Sequence, residues 1–451
     1  MEKILAPEMV HLIIKTLNAS PKQGIPIESE WHRATPFDPF GQPSKEDLLE
    51  RPRDLVVTLT VKDVLEYNQA MVTTTKILTV TDQFDTLLGV DPQVFAPPQP
   101  FASLVMVEHL GLDSIQPKKI NWLLKPVASF TGLRSLIVTN TFLDREGALS
   151  LWKVFPQLEV LSLMDVHFLD MTAVRENMKD MICPHLLRLY LHYNNGGFPI
   201  EDQYQLFLAC PSLKALHWVF PKGTEEHAFK REVVKFRQGH QRTTFREVQE
   251  LHIVGDMDDY GIALAMNNMP GIRSLSISVD NQIGVLSLGA ISTLATNLTR
   301  CEIHSPFTTS VTIELVLSSC PLLHTMVART MTAYEATRDK QRTWICASSL
   351  KVLCLSFVFE SHEAHLQDEV LEKLARLTKL LQLVMIERCD QRPGTFGLQL
   401  RLGQGLETLK PLKKLKFLST RDDFGLPLRA QELTWMELHW PELMDILYVQ
   451  S

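Results

Sequence analysis

Several short clusters carry residue types that could do chemistry. His362-Glu363-Ala364-His365, followed by Asp368 and Glu369, has the side chains of a metal site. A zincin helix sets its two histidines four apart, so that both reach one ion, whereas these stand three apart. The cluster reads instead as the solvated start of a helix over 366–377, with Leu366, Val370, Leu371, Leu374 and Leu377 on one face and Gln367, Asp368, Glu369 and Lys373 elsewhere. Asp256-Met257-Asp258-Asp259-Tyr260-Gly261 opens like a calcium loop. Tyr260 then takes the fifth position and Asn267 the twelfth, where such a loop needs a bidentate Glu. Aspartate at this point suits a helix N-cap. Gly394, Gly397, Gly403 and Gly405 lack the strand and helix that a phosphate-binding loop requires. Seven cysteines, an odd count with no C-x-x-C pair, suggest neither a disulfide framework nor a zinc knuckle. Most lie in apolar stretches, where a reduced thiol acts as a small hydrophobe in a reducing compartment. No nucleophile stands beside a base. The expectation is a protein without metal, without cofactor and without catalytic activity.

Two segments have the chemistry of a binding surface. Residues 221–247 hold Arg231, Lys235 and Arg237 with Phe229 and Phe236 between them, and residues 329–344 hold Arg329, Arg338, Lys340 and Arg342 with Tyr334 and Trp344. Arginine and aromatic side chains supply most binding hot spots, so Arg231, Lys235, Arg237, Arg338 and Arg342 are candidates for holding an acidic partner. A solvated helix face or loop would have the same composition.

The composition narrows the class. The 451 residues are 45% hydrophobic and 22% charged, as in a folded soluble protein, and the net charge is -7. Nucleic acid normally demands a basic excess, so it is not expected as a partner. No apolar run approaches the ~20 residues that span a bilayer. Pro7 and Glu8 interrupt what would be a signal-peptide core. No membrane partner is expected, and the cytoplasm or nucleus is the expected location.

What would position these residues is a repeat. The pattern L-x-x-L-x-L, with apolar substitutions, recurs twelve times between 107 and 412, at intervals averaging about 28 residues. It reads Val107-Leu110-Leu112, Leu133-Leu136-Val138, Leu158-Leu161-Leu163, Leu186-Leu189-Leu191, Leu213-Leu216-Trp218 and Val248-Leu251-Ile253. It continues as Ile272-Leu275-Ile277, Leu298-Cys301-Ile303, Leu323-Met326-Ala328, Leu350-Leu353-Leu355, Leu380-Leu383-Met385 and Leu412-Leu415-Phe417. The fourth and sixth positions share one face of a strand. Stretches with helical periodicity lie between, such as 144–155 with Asp144 as N-cap. Strand, helix, strand at this interval predicts an α/β leucine-rich-repeat solenoid: a horseshoe with a curved parallel sheet and outer helices. A second signature sits just before the strand: Phe155-Pro156-Gln157-Leu158, Cys183-Pro184-His185-Leu186, Cys210-Pro211-Ser212-Leu213, Met269-Pro270-Gly271-Ile272 and Cys320-Pro321-Leu322-Leu323. Proline ends each helix at a fixed distance from the next strand. The Asn expected eight residues after the first Leu is present only as Asn194.

The Cys-Pro-x-Leu segments resemble the repeats of the F-box/leucine-rich-repeat family, and Trp435-Met436 and Trp440-Pro441-Glu442-Leu443 resemble the endings of its expanded fungal branches. Leu5-Ala6-Pro7-Glu8-Met9-Val10-His11-Leu12-Ile13-Ile14-Lys15-Thr16-Leu17 is similar to the opening of an F-box, with Met9, Leu12, Ile13 and Leu17 as an apolar stripe. Later F-box helices are not evident. The resemblance implies that Leu5, Pro7, Glu8, Met9, Leu12 and Ile13 bind a Skp-type adaptor of a cullin ligase. The implied organisation is an F-box-like helix over 1–20, a linker and poorly defined region over 21–105, leucine-rich repeats over 106–431 and a C-terminal cap over 432–451. The implied function is substrate recognition for a ubiquitin ligase. The alternative is an interaction scaffold with no link to ubiquitin. A repeat-type GTPase activator is the reading from the enzyme class, and no loop side chain singles itself out for it.

Overall fold

The computed structural model describes residues 56–60, 77–81, 107–115, 124, 127, 131–178, 181–192, 198–220, 245–339, 343–385, 394–420 and 428–448. Leu5, Pro7, Glu8, Met9, Leu12, Ile13, Asn194, Arg231, Lys235, Arg237, Arg342 and Cys389 therefore lie outside the described residues. The chain divides into two compact units, with the boundary between Asp256 and Met257.

The N-terminal unit is a ladder of eight parallel strands: β1 (Val56–Thr60), β2 (Ile77–Thr81), β3 (His109–Asp113), β4 (Ser135–Leu143), β5 (Val160–Phe168), β6 (Arg188–His192), β7 (Ala215–Phe220) and β8 (Glu250–Gly255). Each pairs in parallel with the next. Helices α1 (Arg145–Val154), α2 (Thr172–Met178) and α3 (Ile200–Leu208) connect successive strands. The ladder thus begins before Val107. Strands β1 and β2 fall inside the span read from the sequence as linker and poorly defined region.

The C-terminal unit repeats the plan with β9 (Ser274–Val279), β10 (Arg300–Ile303), β11 (Thr325–Thr332), β12 (Val352–Glu360), β13 (Gln382–Val384), β14 (Thr395–Gly397), β15 (Phe417–Thr420) and β16 (Asp445–Tyr448). Its helices are α4 (Asp259–Asn268), α5 (Val285–Leu294), α6 (Ser310–Ser319), α7 (Ala333–Thr337), α8 (Gln367–Ala375) and α9 (Ala430–His439). All neighbouring strands are parallel except β14, which pairs antiparallel with the end of β12. The α/β leucine-rich-repeat solenoid expected from the sequence is the fold.

The register confirms the repeat residue by residue. Leu110, Leu136, Leu161, Leu189, Leu216 and Leu251 stand opposite one another on successive strands, and all are buried. Leu275, Cys301, Met326, Leu353 and Leu383 do the same in the second unit. One segment is corrected. Leu383 pairs with Leu418, so the last triplet is not Leu412-Leu415-Phe417 but begins at Leu415. Leu412 and Leu415 are both fully buried, and only the ladder can tell which one precedes the strand. Ile446 pairs with Leu418, so the C-terminal region read as a cap adds a strand of its own.

The proline segments explain why the strands start in step. In all five, the amide of the fourth residue donates to the carbonyl of the first: Leu158 to Phe155, Leu186 to Cys183, Leu213 to Cys210, Ile272 to Met269 and Leu323 to Cys320, at 3.1–3.4 Å. Leu443 donates to Trp440 in the same way at 3.0 Å, a sixth copy of the turn. Trp440 and Met436 are buried there, whereas Leu438 is exposed.

Helix caps are both local and borrowed. Asp144 accepts from the Gly147 amide at 2.9 Å, and Asp258 from the Gly261 amide at 2.7 Å, as N-caps do. Helix α5 begins at Gly284, which has no side chain to offer. The carboxylate of Asp259, one repeat earlier, accepts from the amides of Gly284, Leu286 and Ser287 at 2.8–3.0 Å. A Cβ at Gly284 would lie 2.6 Å from that carboxylate, so glycine is needed for the close approach. Burial alone would raise the Asp259 pKa, but the bonds from Ser287, Leu286 and Gly284 outweigh it and hold the pKa below the usual value.

Candidate binding face

A strand presents alternate residues to opposite sides. One side of each ladder carries the leucines and meets the helices. The other, here the far face, carries residues the core does not use. Its composition is the best guide to what the protein can hold.

In the N-terminal unit the middle row of the far face runs Gly111, Ile137, Ser162, Tyr190, His217 and His252. The last three form a continuous ring ladder. The Tyr190 and His217 rings lie 4.5 Å apart, and those of His217 and His252 lie 5.1 Å apart. The two imidazoles meet Nδ1 to Nδ1 at 3.2 Å, so one ring donates and the other accepts. Burial, with the Arg188 guanidinium adding to it, pushes the His217 pKa down to about 4. A neutral His217 is what an imidazole pair of this kind requires. Farther along β4 and β5, Phe142 stacks on His167 at 4.7 Å. The surface is aromatic and polar together, the chemistry that suits protein contacts.

The outer row of the same face carries a hydrogen-bond network around Asp113, although Asp165 Oδ1 is buried without a partner. Asp113 accepts from the hydroxyls of Ser114 and Thr139 and from the Asn140 amide at 2.5–3.3 Å. Ser114, Asn140 and Asp165 all have left-handed backbones, and Gly255 has φ 113°. The register places all four in one column, where the strand turns away. Small and Asx residues tolerate this conformation best. Each stands seven residues after the first apolar position of its repeat. A search for Asn at the eighth position misses them, and the recurring Ser, Asn, Asp and Gly at the seventh would have found them.

In the C-terminal unit the far face carries an ion-paired cluster. Arg300 bonds Glu302 through Nε at 2.7 Å and through Nη2 at 2.5 Å, and His304 Nε2 lies 3.8 Å from the other carboxylate oxygen. Burial would raise the Glu302 pKa, but His304 and Arg300 outweigh it and bring it to about 2.

The structure scatters the segment 329–344. Arg338 is exposed and pairs with Glu335 at 3.6 Å. Tyr334 is exposed, whereas Trp344 is buried and donates through Nε1 to Glu314 at 2.8 Å. Lys373, read from the sequence as part of a polar helix face, is also buried, 3.8 Å from Glu314. Gln367 is buried too, donating to the Gln404 carbonyl at 2.7 Å. These helix faces look polar in sequence because they meet polar groups of neighbouring repeats.

The other sequence clusters serve the fold. His362 Nδ1 lies 3.4 Å from Glu360, and Glu363 accepts from the Glu360 amide at 2.9 Å, closing a capping box at the start of the 3-10 turn Ser361–Leu366. Gly394, Gly403 and Gly405 take left-handed turns, and Gly397 lies in β14. Every described cysteine is buried. Burial pushes Cys320, Cys346 and Cys354 up to about 12, so these thiols are protonated packing groups. Among the described residues, no helix is long and apolar enough to cross a membrane.

The chain matches no family model and no curated protein sequence. Among solved structures it is similar to an internalin of Listeria monocytogenes, with 11% identity and a TM-score of 0.36, over 77% of this chain and 81% of that one. A leucine-rich-repeat protein of Leptospira interrogans shows 14% identity and a TM-score of 0.36, over 89% and 98%. The PEPR1–AtPEP1 complex shows 15% identity and a TM-score of 0.34, over 78% of this chain and 46% of that one. At these scores the fold assignment rests on the strand register of the chain itself.

Proposed function

We propose that this protein is a non-catalytic receptor that holds another protein on the far face of its strand ladders. The observation that carries the reading is the row Tyr190, His217 and His252, whose rings belong to the sheet but not to the leucine core. Such surfaces, assembled from many repeats, are what solenoids use for binding. The six described buried thiols support a reducing location, the cytoplasm or nucleus. The partner class is protein, not nucleic acid or membrane, in keeping with the net charge of -7.

The similarity of Leu5–Leu17 to an F-box supports a more specific role. In it, Leu5, Pro7, Glu8, Met9, Leu12 and Ile13 hold a Skp-type adaptor, and the repeats present a target to a cullin-type ubiquitin ligase. Tethering the target would raise its effective concentration at the ligase. The test is binding of the full chain to a Skp-type adaptor beside a Pro7→Ala, Leu12→Asp, Ile13→Asp variant. The role predicts binding by the first and at least a hundredfold loss, about 3 kcal/mol, in the variant. If neither folded protein binds, the ligase role falls and an interaction scaffold remains.

A further inference from the structure

Three polar side chains stand at neighbouring positions on three adjacent strands of the C-terminal unit: His304 beside Arg329, and Ser356 one step farther on, opposite Thr330. Ile303 pairs with Ala328, so His304 stands beside Arg329. The register of β11 against β12 then shifts: Val327 opposes Cys354, and Thr330 opposes Ser356. Ala328 and Arg329 thus stand against the single residue Leu355. A bulge of this kind re-aims a side chain. Ile303 and Leu355 are buried in the leucine core, and alternation puts His304 and Ser356 on the opposite side, with Arg329 on the strand between them at the bulge, where its Nε is buried. Neighbouring strands lie about 4.8 Å apart, so one small group can touch all three.

Each of the three residues has a buried polar atom without a hydrogen-bond partner: His304 Nδ1, Arg329 Nε and Ser356 Oγ. Ser356 is only 4% exposed. A buried polar atom without a partner is costly, so three at neighbouring positions are not expected by chance. Arg329 Nε and Ser356 Oγ can donate, and His304 Nδ1 donates as the Nδ1–H tautomer, so one common acceptor would answer all three. The nearby Arg300 and Glu302 neutralise each other, and Glu302 stays ionised down to about pH 2. Arg329 has no described carboxylate to pair with, which leaves one positive charge among the three. A monoanion balances that charge. A dianion would carry an excess negative charge facing Glu302.

We propose that His304, Arg329 and Ser356 form a seat for a carboxylate of the bound protein, either an acidic side chain or a chain terminus. This rests on the reading that the far face binds protein. Guanidinium and carboxylate match in geometry, and the imidazole and hydroxyl supply the remaining donors.

The test uses small probes on the full chain: acetyl-Gly-Glu-Gly-amide, acetyl-Gly-Gly with a free carboxylate, acetyl-Gly-Gln-Gly-amide and inorganic phosphate. The readout is a saturable rise in Tm. At least one carboxylate probe should saturate, and which one does separates a side chain from a terminus. Arg329→Gln should weaken that binding at least tenfold and Ser356→Ala about threefold, while Lys153→Gln should leave it unchanged. Should Arg329→Gln fail to fold, Arg329→Lys serves, because it keeps the charge and loses the Nε donor. A cluster satisfied by ordered water would give no saturable response, which overturns the seat, as would tighter binding of phosphate or of the Gln probe. Full binding by Arg329→Gln would overturn it too. None of these failures touches capture of a protein elsewhere on the far face, which adaptor and partner binding measure separately.

Discussion

The two units differ in how far the polar side chains of their far faces are answered. In the N-terminal unit most of these groups answer one another: Asp113 gathers Ser114, Thr139 and Asn140, and His217 meets His252, with Asp165 Oδ1 left as an exception. In the C-terminal unit Arg300, Glu302 and His304 form a cluster, yet His304, Arg329 and Ser356 each leave a buried atom unanswered. The difference teaches where to look for a ligand. A satisfied network stabilises its own ladder, whereas an unsatisfied one gains most when something else supplies the missing partner.

The largest effect should come from breaking the satisfied side at its root. Trp218 is buried against Phe207 and donates to Gln203 at 2.7 Å, and Gln203 donates in turn to the Phe198 carbonyl at 2.6 Å. Trp218→Ala removes a large core side chain and orphans Gln203, so chemical denaturation should show a loss of about 3–5 kcal/mol. A loss below 1 kcal/mol would show that the network is not needed.

A middle-sized effect should follow pH. The folded pKa of His217, about 4, lies below its ordinary 6.5. The folded state then binds fewer protons than the unfolded chain between those values. Its stability is complete above about pH 6.5 and is lost as pH falls toward 4, by roughly 2 kcal/mol after allowance for solvent screening. His217→Phe should flatten that stretch of the stability–pH curve, and an unchanged slope would assign the dependence to other groups.

The smallest effects sharpen the comparison most directly. Thr139→Val removes a donor to Asp113 and should cost about 1 kcal/mol. Ser356→Ala removes an unanswered hydroxyl and should cost nothing or stabilise by up to about 1 kcal/mol. Equal losses at the two sites would erase the distinction between the units.

The ladder was largely legible in the sequence, because burial on one face forces a leucine spacing that no loop shares. The proline segments were legible for the same reason: each makes one turn, closed by one hydrogen bond. Where two leucines were both buried, as at Leu412 and Leu415, spacing alone chose the wrong one. Lys373 and Trp344 misled because their partner, Glu314, lies one repeat from Trp344 and two from Lys373 in sequence. The grouping at Arg329 could not be read at all. It depends on a bulge that shifts register between Val327 and Thr330, and nothing in the residue types announces it.

The carboxylate of Asp259 at the start of α5 has a temporal meaning. Asp259 is synthesised before the helix it caps, and α5 has no cap of its own at Gly284. A nascent chain that has released α5 therefore already holds the group that will secure its first turn, provided the preceding repeat has folded. Assembly in this stretch is ordered from the N-terminal side, with each finished repeat acting as the template edge for the next.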